Sequence, residues 1–133
     1  WGAYYEAGGT VLCDRYTTSN ACHQGSKLPE GERQSYLNWL YHFEFDLMGL
    51  PKPDLVVYLD IEVETAKTRM AERERATNTS ADIHERDAAY LQSCLAAGRA
   101  AAAHYGWRVI RSGARSVEDI HEEIYAAVKA ATE

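Results

Sequence analysis

The sequence predicts an α/β protein with short parallel strands layered against helices, and three observations carry that prediction. Three brief β-rich runs, residues 10–14 (TVLCD), 55–60 (LVVYLD) and 107–110 (WRVI), are each bounded by turn residues, as buried parallel strands are. Helical patterns fill the stretches between and after them. The resulting order is strand, helix, strand, helix, helix, strand, helix, which is the alternation of crossover-connected units.

Each element has its own local reason. The run 10–14 follows Gly8-Gly9 and ends on the charged pair Asp14-Arg15. A helix is predicted over 32–48, where nine of the thirteen residues from Tyr36 to Met48 are apolar or aromatic. With so little polar face it has to be buried on more than one side or sit in an interface. The strand 55–60 follows Pro51-Lys52-Pro53, and Asp60 ends it as a cap or brace to which no chemistry is assigned. A helix over 63–76 is amphipathic at first (Val63, Ala66, Met70) and then polar. The next, over 82–105, puts Ile83, Tyr90, Leu91, Cys94, Leu95, Gly98, Ala101, Ala102 and Tyr105 on one stripe. The strand 107–110 follows Gly106, and Ser116 with Asp119 opens a last helix in the manner of a capping box.

Composition narrows the function. The 133 residues are 46% hydrophobic and 26% charged, which fits one globular domain spanning 1–133 and excludes a disordered tail or a disulfide scaffold. No apolar run is long enough to cross a bilayer, and no secretory signal is expected. With 14 Lys+Arg against 20 Asp+Glu, the net charge of −6 argues against nucleic acid as a partner. It does not argue against a small anionic substrate, since a few arginines clamp one phosphate. Cys13, Cys22 and Cys94 show no CxxC spacing and read as reduced thiols of a cytoplasmic protein.

Ligands of open α/β sheets bind beyond the carboxyl ends of the strands, which places Asp14, Arg15 and Asp60 on the functional edge. The run from Asp14 to Gly25 then offers a carboxylate, a guanidinium and a series of hydrogen-bonding side chains. Arg15 can clamp a phosphate bidentately while Asp14 orients it or a metal-bound water. The plainer alternative is a strand-end ion pair followed by a polar loop. Arg69 and Arg73 share a helix face at i,i+4 and, with Arg75, could close over a transferred group or simply line a solvated face. Asp82 and Glu85 have the spacing of a reciprocal N-terminal cap.

Asp14-Arg15-Tyr16 with Ser19-Asn20 and His23-Gln24-Gly25 resembles the signature loop of the thymidylate kinases. Further stretches are similar in the same order: Trp39-Leu40, Phe43-Glu44, Leu50-Pro51 with Pro53-Asp54, 57–60, Arg69-Met70, and 82–87 followed by Tyr90-Leu91. His23 stands where many members have tyrosine, and Cys22 where a smaller residue is usual. The resemblance implies a P-loop nucleoside-monophosphate-kinase-like parallel sheet with flanking helices, phosphorylation of dTMP with ATP and Mg2+, and a homodimer. It further implies that Arg15 holds the acceptor phosphate and that Asp14 organises that phosphate and the magnesium. Ser19, Asn20, His23 and Gln24 would contact the nucleotide, with Asn20 reading the thymine edge. Arg69 and Arg73 would belong to a lid over ATP, and Glu85 would lie near the metal.

No Gly-x-x-x-x-Gly-Lys-Ser/Thr occurs in these 133 residues. The expectation is therefore that they form the C-terminal part of such a kinase, without its donor-phosphate loop and N-terminal strands, and are inactive alone. Two rivals stay open: a non-catalytic fragment or pseudokinase that binds nucleotide or a partner, and a deoxynucleoside kinase.

Overall fold

A computed structural model describes residues 1–77 and 88–132. Helix α1 (Gly2–Glu6) leads through an irregular stretch to α2 (Thr18–His23) and a 3-10 turn at Gly25–Lys27. Helix α3 (Glu30–Tyr41) continues directly into a π-helical turn, His42–Leu47. Strand β1 (Val57–Asp60), α4 (Val63–Thr77), α5 (Ala88–Tyr105), β2 (Arg108–Arg111) and α6 (Val117–Thr132) complete the order.

The two strands pair in parallel, in the register Val57↔Arg108, Tyr58↔Val109, Leu59↔Ile110 and Asp60↔Arg111. Parallel neighbours need a long crossover, and α4 and α5 lie in the connection between them. Asp60 braces the strand end as the sequence suggested. Its Oδ1 accepts from Arg99 Nε of α5 at 2.8 Å, and its carbonyl accepts from both the amide (2.8 Å) and hydroxyl (3.0 Å) of Ser112. The last helix is capped as expected, the Asp119 amide donating to Ser116 Oγ at 3.1 Å.

Two expectations are corrected. Residues 10–14 are not a strand, and Leu12 is 86% exposed there. The run has strand composition, but a strand exists only through a partner ladder, and the described sheet consists of β1 and β2 alone. The second correction concerns 18–23, where no helix was predicted and helix α2 forms. Thr, Ser and Asn are weak helix formers, so packing holds this turn: Ala21 is buried beside Leu37 and Leu40 of α3 and Ala101 of α5.

Helix α5 is the spine of that packing. Ala97, Gly98, Ala101 and Ala102 are its buried residues, and their small size lets neighbours approach closely. A Cβ on Gly98 would stand 2.7 Å from Cζ of Tyr58, so the β1 tyrosine occupies the space this glycine leaves. Tyr105 and Trp107 close the other end, stacked at 5.4 Å between centroids, and Tyr105 Oη donates to the Leu37 carbonyl at 2.6 Å. Helix α3 buries only Leu37 and Leu40, leaving Trp39, Phe43, Leu47 and Met48 exposed nearby. The expected burial on more than one side is therefore not seen among the described residues.

Ile110 is 0% exposed and the largest fully buried side chain, whereas its β2 neighbour Val109 is 43% exposed. Ile110→Ala is expected to cost about 2–5 kcal/mol by lost burial plus cavity, and Val109→Ala well under half of that. Urea titrations of the two variants measure the difference; equal losses would contradict this placement of the core.

Candidate functional site

The predicted acceptor-side residues all lie on one loop and helix. The chain bends at Arg15, which has φ +70°, in the left-handed region that non-glycine residues rarely enter. That conformation costs on the order of 1–2 kcal/mol and presents Asp14 and Arg15 side by side, both exposed, just before α2. Neither has an ion-pair partner among the described residues, so the simple strand-end pair is not what forms. Strained non-glycine residues concentrate where a side chain has to be presented.

The loop is tied down on its far side. Tyr16 Oη donates to the Pro51 carbonyl at 3.1 Å, and burial, with smaller effects of Cys13, Glu44 and Tyr5, raises its pKa. The first turn of α2 closes with the Ser19 amide on the Tyr16 carbonyl and the Asn20 amide on the Thr17 carbonyl, at 3.0 and 2.9 Å. Thr17 Oγ1 is buried there without a hydrogen-bond partner. Ser19 and His23 are half-buried one turn apart. The His23 carbonyl accepts from Ser26 Oγ at 2.8 Å, and Gln24 is exposed with its Oε1 accepting from Lys27 Nζ at 3.1 Å.

Asn20 is the most constrained of the set. Its Nδ2 donates to Glu44 Oε1 at 2.8 Å, and its carbonyl accepts from Tyr36 Oη at 3.3 Å. Glu44, on the π-helical turn, is only 5% exposed. The sequence shows it only as part of the family-like pair Phe43-Glu44, with no role attached. The signal available was a single carboxylate inside an aromatic run, four residues beyond Leu40 and so on the inward stripe of α3.

The remaining candidates are elsewhere. Arg69, on α4, spends its Nη2 on the carbonyls of Ser112 (3.0 Å), Gly113 (2.7 Å) and, at a longer 3.4 Å, Arg115. It holds the loop after β2, at the carboxyl end of the sheet, where a phosphate clamp was expected. Arg73 is exposed one turn further along α4. Asp82 and Glu85, the candidate cap and metal neighbour, lie outside the described residues.

A groove of about 420 Å³ opens between Thr18 and Ala21 of α2, Tyr41 and Glu44, and the segments entering β1 and β2. Asp14 and Arg15 do not line it. The exposed Asp14-Arg15 loop is thus separate from the groove, and Glu44, which lines the groove, is tied to α2 through Asn20. No group of three or more His, Cys, Asp or Glu side chains able to hold a metal occurs among the described residues. No described helix is long and apolar enough to cross a membrane.

The three cysteines are free. Burial, and secondarily the neighbouring Cys94, pushes the Cys22 thiol up from 9.0 to about 11. Burial likewise pushes the Tyr58 phenol to about 12, with smaller effects from nearby charges.

The thymidylate kinase family model matches residues 3–124. The chain is 38% identical over 98 residues to a thymidylate kinase of Mycobacterium tuberculosis, covering 73% of this chain and 45% of that protein. It is 29% identical over 125 residues to a thymidylate kinase of Staphylococcus epidermidis, covering 92% and 57%. A thymidylate kinase of Rickettsia bellii is 37% identical over 68 residues, covering 51% and 31%. The chain spans about half the length of the curated relatives it matches.

The buried thiol sets a pH expectation. The folded state keeps Cys22 protonated above the point at which an unfolded thiol ionises, so its contribution to stability is intact below about pH 9 and lost as pH rises toward 11. Thermal melts from pH 8 to 11 should fall steeply for the parent and less steeply for Cys22→Ala. Identical slopes would contradict the burial of this thiol.

Proposed function

This chain belongs to the thymidylate kinase family, and from that premise we propose that the protein carrying it transfers the γ-phosphoryl group of ATP to dTMP, giving dTDP. The observation that carries the reading is the Asp14-Arg15 pair, exposed and unpaired among the described residues at a left-handed bend, directly ahead of a helix whose Asn20 is held in place.

Phosphoryl transfer asks the protein for positioning and charge more than for covalent chemistry. Arg15 supplies a planar, permanently charged fork for the acceptor phosphate, and the bend fixes where that fork starts. Asp14 is a hard oxygen donor of the kind magnesium accepts, one or two carboxylates together with substrate phosphates being its usual protein ligation. Magnesium held there with the phosphates would neutralise charge on the transferred group. Ser19 and Asn20 face the nucleotide in this reading, with His23 and Gln24 on the next turn of the same helix. Arg73 is assigned to the donor phosphates together with Arg69, whose contacts to the 112–115 loop support a bracing part in that same lid. The exposed Trp39 and Phe43, stacked at 5.1 Å, support a homodimer face.

Purified residues 1–133 should form no dTDP from dTMP and ATP, because they contain no glycine-rich phosphate cradle. In the full-length protein Arg15→Ala is expected to lower kcat/KM for dTMP by roughly 2–4 kcal/mol of transition-state binding, and Asn20→Ala by roughly 1–3. Steady-state rates with dTMP check both. Values within about threefold of the parent for both variants, under 1.4 kcal/mol, would overturn the site.

A further inference from the structure

We propose that Glu44 is a positioning residue for Asn20, holding its side-chain amide in the one orientation that accepts a pyrimidine bearing a ring N–H and turns cytosine away. The proposal rests on the reading of Asn20 as the base-contacting residue and deepens it.

The two ends of an asparagine amide have nearly the same shape and opposite hydrogen-bonding character. An amide free to flip can present either an acceptor or a donor to a base, and so discriminates poorly. A carboxylate only accepts, so the amide end facing it has to be the nitrogen. Glu44 Oε1 receives Asn20 Nδ2 at 2.8 Å from a nearly fully buried position, while Asn20 itself is exposed. The outward end of Asn20 is then its Oδ1, beside the second amide proton.

Neighbouring hydroxyls do not compete for the carboxylate. Tyr16, Tyr36 and Tyr105 all lie near enough to sense the charge of Glu44, yet each donates elsewhere: to the carbonyls of Pro51, Asn20 and Leu37. The Asn20 amide is therefore the hydrogen-bond donor that satisfies Glu44 among the described residues. Breaking the pair leaves a buried carboxylate short of a partner, which keeps the orientation fixed.

Thymine offers an N–H at position 3 flanked by carbonyl oxygens, matching an outward acceptor with a donor beside it. Cytosine offers a bare nitrogen and an amino group, the reverse pattern. Against a locked Oδ1 it sets lone pair against lone pair, and a buried mismatch of this kind is strongly discriminated. Glutamine in place of Glu44 keeps the size but can donate as well as accept, and so permits the flip.

The test uses the full-length protein with dTMP and dCMP as acceptors. E44Q should narrow the dTMP-to-dCMP ratio of kcat/KM by about tenfold or more, and should narrow it by less than twofold when added to N20A. A merely structural tie would lower both substrates equally; an unchanged ratio therefore overturns the proposal. The side-chain amide of Asn20, followed by NMR in the wild-type protein, reads the clamp without turnover and whether or not E44Q folds. One slowly exchanging amide proton is expected, and fast exchange of both overturns it. Failure of the wild-type protein to phosphorylate dTMP would sink the kinase reading and the base preference with it, while the amide signal would still decide the clamp.

Discussion

The close approach that α5 permits along its stripe of small residues is the constraint from which the rest of the structure follows. Ala97, Gly98, Ala101 and Ala102 give that helix a surface with almost no side-chain height. On one side Tyr58 of β1 settles over Gly98. On another, α2 and the 3-10 turn come in near enough that a Cβ on Gly25 would touch Ala97 Cβ at 3.8 Å. Side-chain hydrogen bonds then fix the approach, Ser93 Oγ donating to the Ser26 carbonyl at 3.0 Å. Larger residues on this stripe would have to shift backbone or rings, since interiors are already close-packed.

That approach explains how a weak helix becomes a site. Six residues of Thr, Ser, Asn, Ala, Cys and His have little reason to be helical in isolation. Seated on α5 through Ala21 and held by α3 and its π turn through Asn20 and Tyr36, they form a rigid platform. The bend at Arg15 projects two charged side chains from the platform's leading edge. A π turn is an uncommon device that recurs at functional positions, and here it carries the carboxylate that holds Asn20. Charge presented at the edge and hydrogen-bonding geometry fixed beneath it suit the proposed task of holding a phosphate and a base in register.

Elements bounded by turn residues and carrying apolar runs or stripes are legible in the sequence. Strands β1 and β2, the helices α3 to α6 and the Ser116 cap follow from alternation, apolar stripes and turn residues read within each segment. Residues 10–14 show the limit of that reading: a β-rich run says what fits a sheet and not whether a partner strand lies beside it. Helix α2 was missed for the opposite reason, because its stability comes from residues far away in sequence. The proposed site residues Asp14 to Gln24 stand out in the sequence through their spacing and family likeness. Glu44 stands in the sequence only within the family-like pair Phe43-Glu44, with no role attached, because its contact spans 24 positions that no local pattern encodes. Arg69 was placed on the right helix, yet its carbonyl partners, more than forty positions away, are visible only in three dimensions.

The proposed acceptor platform is α2 together with the bend before it. Amide hydrogen exchange of the full-length protein, measured with and without dTMP, addresses it most directly. Residues 14–24 and the π turn at His42–Leu47 are expected to gain protection together when dTMP binds. Binding of dTMP with exchange unchanged across 14–24 would contradict it.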